Sequence, residues 1–221
     1  MKIKIADKIF LVKNETSKIL DYFKDFTCNG KEDFQLDYSE CNGDFYDRLY
    51  ELFNKIILTL LKHSDTLRIH SSAIKVGEKV FAFGAPSGTG KSTHASLWEK
   101  YCPEKVVYVN DDQPFYKIGE EGVTVYGSPL SGKENRFSNE SGKLKAFVIL
   151  RQSKTNKIYQ IEKKEAFKLL FKQVFLPKTI KESEKTLELL NVLAESVPTF
   201  VLECDISERA FKTCYDAVNG L

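Results

Sequence analysis

The residues best able to do chemistry stand together in the run Phe83-Gly84-Ala85-Pro86-Ser87-Gly88-Thr89-Gly90-Lys91-Ser92-Thr93. Glycines let a backbone turn inward, so that its N–H groups and the positive end of a following helix face phosphate oxygens. A lysine directly after the last glycine can reach the β- and γ-phosphates of a nucleoside triphosphate. The serine hydroxyl beside it can meet the Mg²⁺ that accompanies the triphosphate. Ser87, Gly88, Thr89, Gly90, Lys91, Ser92 and Thr93 are therefore the expected nucleotide-binding residues. The strict spacing asks for glycine six residues before the lysine, whereas this chain has Ala85 there and Gly84 one position too early. A methyl group fits a strand end while φ stays negative, so Ala85 reads as a tolerated variant.

Such a loop needs a strand before it and a helix after it. Val80-Phe81-Ala82-Phe83 reads as a buried strand, and Lys91 to Lys100 as a helix with Ala95, Leu97 and Trp98 on its apolar stripe and no proline before Pro103. Further on, Val106-Val107-Tyr108-Val109 reads as a second buried strand, ending in Asn110-Asp111-Asp112. Carboxylates at the end of a strand neighbouring the loop strand fall in the crevice where open α/β sheets bind ligands. Adjacent residues of a strand point to opposite sides, which predicts a division of labour: one aspartate on Mg²⁺, the other accepting the proton of an attacking hydroxyl.

These words resemble the HPr serine kinase/phosphorylases and, more distantly, the ATP-dependent phosphoenolpyruvate carboxykinases. Ile69-His70-Ser71-Ser72-Ala73-Ile74 followed by Gly77 resembles the histidine-bearing strand and hairpin before that family's loop; Ser87 to Ser92 is similar to the loop itself, and Val109 to Asp112 to its paired-aspartate segment. The resemblance implies that Asp111 is the general base, Asp112 the magnesium carboxylate and His70 an active-site histidine. It covers Thr66 to Ile118 well and reaches Arg151 loosely. It is nearest to compact HPr-kinase-like proteins often proposed to act in peptide maturation. The chain carries no copy of the glycine-rich signature with which true HPr kinases meet their protein substrate. It also lacks the length for the carboxykinase apparatus.

The loop Gly127-Ser128-Pro129-Leu130-Ser131-Gly132-Lys133-Glu134-Asn135-Arg136 brings small residues and two cations to the same crevice, with Arg136 the candidate for a guanidinium supplied in cis to the transferring phosphoryl. Arg151, after a strand, is a second candidate. Of the histidines, His63 ends a helix, His94 is expected on the surface of the loop helix, and only His70 carries a functional expectation.

The expected architecture is α/β: a P-loop kinase core with a mixed sheet flanked by helices spanning residues 66–221, and a small N-terminal α+β lobe, residues 1–65, packed on it. In the lobe, Ile3–Ile5 and Ile9–Val12 read as strands around an Asp7-Lys8 turn, a polar loop region follows, and Asp44 caps a helix with Phe45, Leu49, Leu52, Phe53, Ile56, Ile57 and Leu60 at helical spacing. After Asp112 strands are expected at 115–118, 123–126, 144–150 and 157–161, helices at 165–175 and 182–197, a strand at 199–204, and a last helix capped by Ser207.

With 221 residues, 42% of them hydrophobic, the chain can bury a full core. Its 33 basic and 31 acidic residues leave a net charge of +2, too weak a field to imply nucleic-acid or membrane binding. Five cysteines without CxxC spacing read as free thiols, and no apolar run approaches a membrane span, which favours a cytoplasmic setting. The expected activity is an Mg²⁺-dependent transfer of the γ-phosphoryl of ATP to a hydroxyl, serine of a protein or peptide. Transfer to a free small molecule, simple ATP hydrolysis and a non-catalytic ATP-binding regulator stand as rivals. The oligomeric state, homo-oligomer included, is left open.

Overall fold

A computed structural model describes residues 1–132 and 134–221. Lys2–Ile5 (β1) and Lys8–Lys13 (β2) alternate inward and outward residues and pair antiparallel across Ala6 and Asp7, both in left-handed backbone. The following stretch is not the polar loop expected. It holds Ser17–Tyr22 (α1), Phe34–Asp37 (β3, parallel to β2) and two 3₁₀ turns, and it buries Phe23, Phe26 and Tyr38. Aromatics spaced too irregularly for one period still supply enough apolar area to fold short elements onto a neighbour. That neighbour is Phe45–Ser64 (α2), whose Leu49, Leu52, Phe53, Ile56 and Leu60 cover the small sheet. Its start is fixed as expected: the Asp44 carboxylate accepts from the Tyr46 and Asp47 N–H groups, and Asp47 accepts in return from the Asp44 N–H.

The rest is a mixed sheet of nine strands flanked by helices, built from Thr66–Arg68 (β4), Ser72–Val76 (β5), Lys79–Gly84 (β6), Lys91–Tyr101 (α3), Val106–Asn110 (β7), Phe115–Gly119 (β8), Gly122–Tyr126 (β9), Ser141–Gln152 (β10), Lys157–Gln160 (β11), Lys163–Phe171 (α4), Ile180–Ser196 (α5), Thr199–Cys204 (β12) and Glu208–Val218 (α6). The main path runs β4-β8-β9-β10-β6-β5-β7, with β12 on the far half of β10 and β11 on β12. Helices α4 and α5 cover one face, where Leu170, Leu190 and Leu193 meet Ala82, Phe147 and Val201. Helices α3 and α6 cover the other, where Trp98, fully buried, packs edge-on to Phe211 at 5.4 Å. The buried residues form a separate cluster on each face of the sheet and a third in the α2 lobe, and the lobe's cluster takes in Phe115 of the large sheet. No helix is long and apolar enough to cross a membrane among the described residues, and all five cysteines are free.

Two expectations about the sheet change. The aspartate-bearing strand β7 does not neighbour β6, because β5 lies between them and pairs antiparallel with both. Two antiparallel steps restore direction, so β7 runs the same way as β6 and both end at one edge. Nor does the chain run straight through His70. It breaks between β4 and β5, because β4 pairs with β8 while β5 belongs to the opposite half of the sheet, and residues 69–71 must cross between them.

Candidate functional site

Register alone assembles the site. Ser72 at the start of β5 lies opposite Phe83 near the end of β6, and Ala73 lies opposite Asn110, the last residue of β7. The turn after β6, the bend after β7 and the crossing before β5 therefore meet at one sheet edge.

The turn after β6 has the form its composition demands. Gly84 lies against Phe147: a Cβ there would come within 2.6 Å of the ring, so the glycine one place early is a packing requirement. Ala85 keeps a negative φ and its methyl group is fully buried with Phe81 and Phe83. Pro86, Ser87 and Gly88 are exposed, and Gly88 adopts φ +79° with nothing within 4 Å of where a Cβ would stand. Gly90, at φ +111°, is the N-cap of α3 without any side-chain cap, so the first N–H groups of that helix have no side-chain acceptor at this cap. Lys91 is buried to 8% exposure, and its ammonium donates to the Ala85 carbonyl at 3.2 Å, across the mouth of the turn. Burial holds its pKa below the usual lysine value, against the pull of Asp112 and Asp111. Ser92 is half-buried and Thr93 exposed.

The bend after β7 is organised by Asn110, fully buried. Its Oδ1 accepts from the Asp112 and Gln113 N–H groups at 2.8 and 2.6 Å, and its Nδ2 donates to the Ser128 and Leu130 carbonyls at 2.8 and 2.9 Å. Ser128 closes the arrangement by donating to the Gln113 carbonyl at 2.8 Å. The first half of the 127–136 loop thus buttresses the aspartates.

The two carboxylates have different surroundings. Asp111 is 4% exposed and accepts from the Ser72 hydroxyl at 2.7 Å. Burial raises its pKa, and the hydroxyls of Ser72 and Ser92 pull it only part of the way back. Asp112 is half-buried; its Oδ1 lies 3.2 Å from Nε2 of His70, and its Oδ2 accepts from the Gln113 amide at 3.0 Å. Burial opposes its charge, but the hydrogen bonds from His70 and Gln113 and the charges of His70 and Lys91 outweigh it, leaving its pKa below the usual range. His70 is placed by its neighbours in the crossing: its N–H donates to the Gln173 carbonyl at 2.8 Å, and the Ser71 N–H donates to the Asp112 carbonyl at 3.0 Å.

No family model matches this chain. No curated protein matches it either. Among solved structures it is similar to the HPr(Ser) kinase/phosphatase from Coxiella burnetii, at 8% sequence identity and a TM-score of 0.41, over 69% of this chain and 93% of that chain. At that identity no residue equivalence follows, and the site is read from its own geometry.

Arg136 does not stand free beside the loop. Its guanidinium donates to the Ser96 and Tyr108 hydroxyls at 2.8 and 2.7 Å, pairs with Glu134 at 2.8 Å and lies 3.7 Å from Glu99, which ties its segment to the flank of α3. Lys133 lies outside the described residues. Arg151 stands at the end of β10 beside Pro86–Thr89, with the Tyr159 hydroxyl at 3.2 Å and Glu165 at 3.9 Å. His94 is not at the surface: it is 3% exposed under Phe83, its Nε2 accepts from the Trp98 indole at 3.3 Å, and burial lowers its pKa to about 4. The i, i+4 spacing of His94 and Trp98 on the buried face carried that signal. Asn110 and Gln113, flanking the aspartates, also escaped the sequence reading; their adjacency to the pair was the available clue.

Proposed function

We propose that the chain is an Mg²⁺-dependent phosphotransferase that moves the γ-phosphoryl of ATP to a hydroxyl of the serine type. The observation that carries this reading is the meeting, at one sheet edge, of an open glycine turn with a buried lysine and a pair of unlike aspartates.

The turn suits polyphosphate. Gly88 leaves an open cradle that a Cβ would fill, the α3 N-terminus has no side-chain acceptor at its cap, and Lys91 already spans the turn. The nucleoside fits the cleft of 230 Å³ on the α3 flank, walled by Leu97, Leu150 and Ile206. The donor set for magnesium fits as well: Asp111 is a buried carboxylate whose nearest polar partners are the hydroxyls of Ser72 and Ser92, so its charge is left for a cation to offset. Ser92 and Asp111 would hold the ion, directly or through water. When bound, Mg²⁺ neutralises charge on the β- and γ-phosphates. This reverses the roles that the resemblance implied, because the serine of the loop lies beside Asp111 and not beside Asp112.

Asp112 is then the base. Its carboxylate takes the acceptor's proton as the hydroxyl oxygen bonds to the γ-phosphorus and the bridging oxygen leaves with ADP. His70 holds that carboxylate in place from one side and Gln113 from the other. A lowered pKa is compatible with this task, because phosphoryl transfer depends on placement and charge more than on base strength. Arg136 serves as a strut for the 127–136 loop. Lys91 neutralises charge at the transferring group.

The test is turnover of γ-labelled ATP with Mg²⁺ by wild type, Asp111→Asn and Asp112→Asn, against hydroxyl acceptors. The expected result is that Asp112→Asn keeps Mg-ATP affinity and loses transfer by about 10²–10⁴-fold, whereas Asp111→Asn raises the Mg²⁺ concentration needed. Equal ATP binding by all three with no Asp112-dependent transfer or hydrolysis would replace the kinase by a nucleotide-binding regulator.

A further inference from the structure

Beside His70 and Gln113, the two side chains that hold Asp112, a cleft of 220 Å³ opens between the crossing segment 68–70 and the segment that follows α4; Arg68, His70, Gln113, Gln173, Val174 and Phe175 line it. The two segments are zipped together by main-chain bonds: His70 N–H to the Gln173 carbonyl at 2.8 Å and Phe175 N–H to the Arg68 carbonyl at 2.9 Å. The walls are therefore set by backbone.

One feature of the cleft is open to a ligand. Arg68 is half-buried, its guanidinium lies 4.1 Å over the Phe175 ring, and one of its N–H groups donates to Gln113 Oε1 at 2.8 Å; among the described residues no carboxylate pairs with it. Burial weighs against its charge, and the Tyr50 hydroxyl and the Asp112 carboxylate offset that only in part. A half-buried guanidinium that no carboxylate contacts directly gains from a ligand that brings one. Arg68 is also joined to the chemistry: Gln113 accepts from Arg68 through Oε1 and donates to Asp112 through Nε2.

We propose, resting on the phosphotransferase reading, that this cleft is the acceptor pocket, and that the acceptor is a small β- or γ-hydroxy acid unit whose carboxylate is held by Arg68 against the Phe175 ring. A planar guanidinium stacked on an aromatic ring presents a fixed fork to a carboxylate. With the carboxylate on Arg68, the hydroxyl reaches Asp112, its oxygen takes the γ-phosphoryl, its proton passes to Asp112 and ADP leaves. The shared chemistry has two sources, a free hydroxy amino acid or the last residue of a peptide.

The experiment uses paired probes that differ only at the carboxylate: L-serine and L-serinamide, L-threonine and L-threoninamide, L-homoserine and its amide, and Gly-Gly-Ser with a free or an amidated end. Binding is read by calorimetry and transfer by γ-label, for wild type, Arg68→Gln and Arg68→Lys. At least one acid should bind and accept phosphate ten-fold or more better than its amide, and Arg68→Gln should collapse that ratio to near one, with Arg68→Lys between. Preference for the free amino acid or for the peptide identifies the source. Acids and amides binding alike, or a preference that Arg68→Gln leaves intact, overturns the pocket. Acid-selective, Arg68-dependent binding without any transfer leaves the pocket standing and overturns the kinase.

Discussion

Two clefts of nearly equal volume, 220 and 230 Å³, lie one beside His70 and Gln113, which hold Asp112, and one against Thr89 and Gly90 of the turn, and they differ in chemistry. The one beside Asp112 is walled by Arg68, His70, Gln113 and Gln173 together with Val174 and Phe175, and among the described residues no carboxylate contacts the Arg68 guanidinium. The one beside α3 takes apolar surface from Leu97, Leu150, Cys204 and Ile206, with Arg151 and Asp205 also on its wall, and burial lowers the pKa of its histidine, His94, to about 4. A phosphate-holding turn between a polar and an apolar cleft gives the site a direction: a nucleoside gains from desolvation on one side, and a small charged acceptor gains from ion pairing on the other. The contrast comes from the sheet. The crossing between β4 and β5 delivers charged side chains to one flank, whereas the ends of β10 and β12 deliver core residues to the other.

The sharpest way to break that contrast is acid. His94 is neutral in the folded chain, with a pKa lowered to about 4 from an ordinary 6.5, because burial penalises the imidazolium. Between those values the unfolded chain binds more protons than the folded one, so stability falls as pH drops from 6.5 towards 4, by about 3 kcal/mol in all. His94→Gln keeps an acceptor for the Trp98 indole and removes the titration. Thermal unfolding followed from pH 7 to pH 4 should show the variant losing less of its stability than wild type. Parallel curves would mean that His94 is reached by water or paired when charged, and the apolar flank would lose its definition.

A smaller effect separates the flanks directly. Ile206 is 77% exposed on the rim of the apolar cleft, so Ile206→Asp disturbs little of the fold. It removes apolar surface from a nucleoside and adds a charge near the phosphates. The KM for ATP should rise about ten-fold, equivalent to 1.4 kcal/mol, while the ratio of L-serine to L-serinamide stays put. A change in acceptor ratio with no change in KM would exchange the assignments of the two clefts.

The turn and the aspartate pair were legible because each is contiguous: Gly88, Gly90, Lys91 and Ser92 follow one another, as do Asn110, Asp111 and Asp112, and strand-loop-helix order is a local property. What joins distant segments was not. Nothing in the residues near Gln173 marks them as a wall of the site, since that wall arises from a main-chain bridge between the end of α4 and residues 68–70. The insertion of β5 between β6 and β7, which decides which aspartate meets Ser72, is likewise a matter of pairing between segments. His94 was misplaced for another reason: its letter is polar, but the face of α3 that carries Lys91, Ala95 and Trp98 is the buried one, and position outweighs residue type there.

The smallest effect concerns the divide between the clefts, where a departure from the strict glycine spacing can be told apart from a requirement of binding. Ala85 sits in the core at negative φ, so Ala85→Gly loses a buried methyl group and gains unfolded-state freedom; it should cost about 1 kcal/mol of stability and leave ATP affinity unchanged. Gly88→Ala is the converse case. Its position at φ +79° faces open space, so the methyl group meets no neighbour and the left-handed backbone alone costs about 1 kcal/mol, but it intrudes where phosphate oxygens would lie. Thermal melts and ATP titrations on the two variants should therefore show a stability loss without a binding loss at 85, and a clear binding loss at 88. Weaker ATP binding by Ala85→Gly, with Gly88→Ala unaffected, would move the phosphates off the open side of the turn and take the polar and apolar clefts out of register with them.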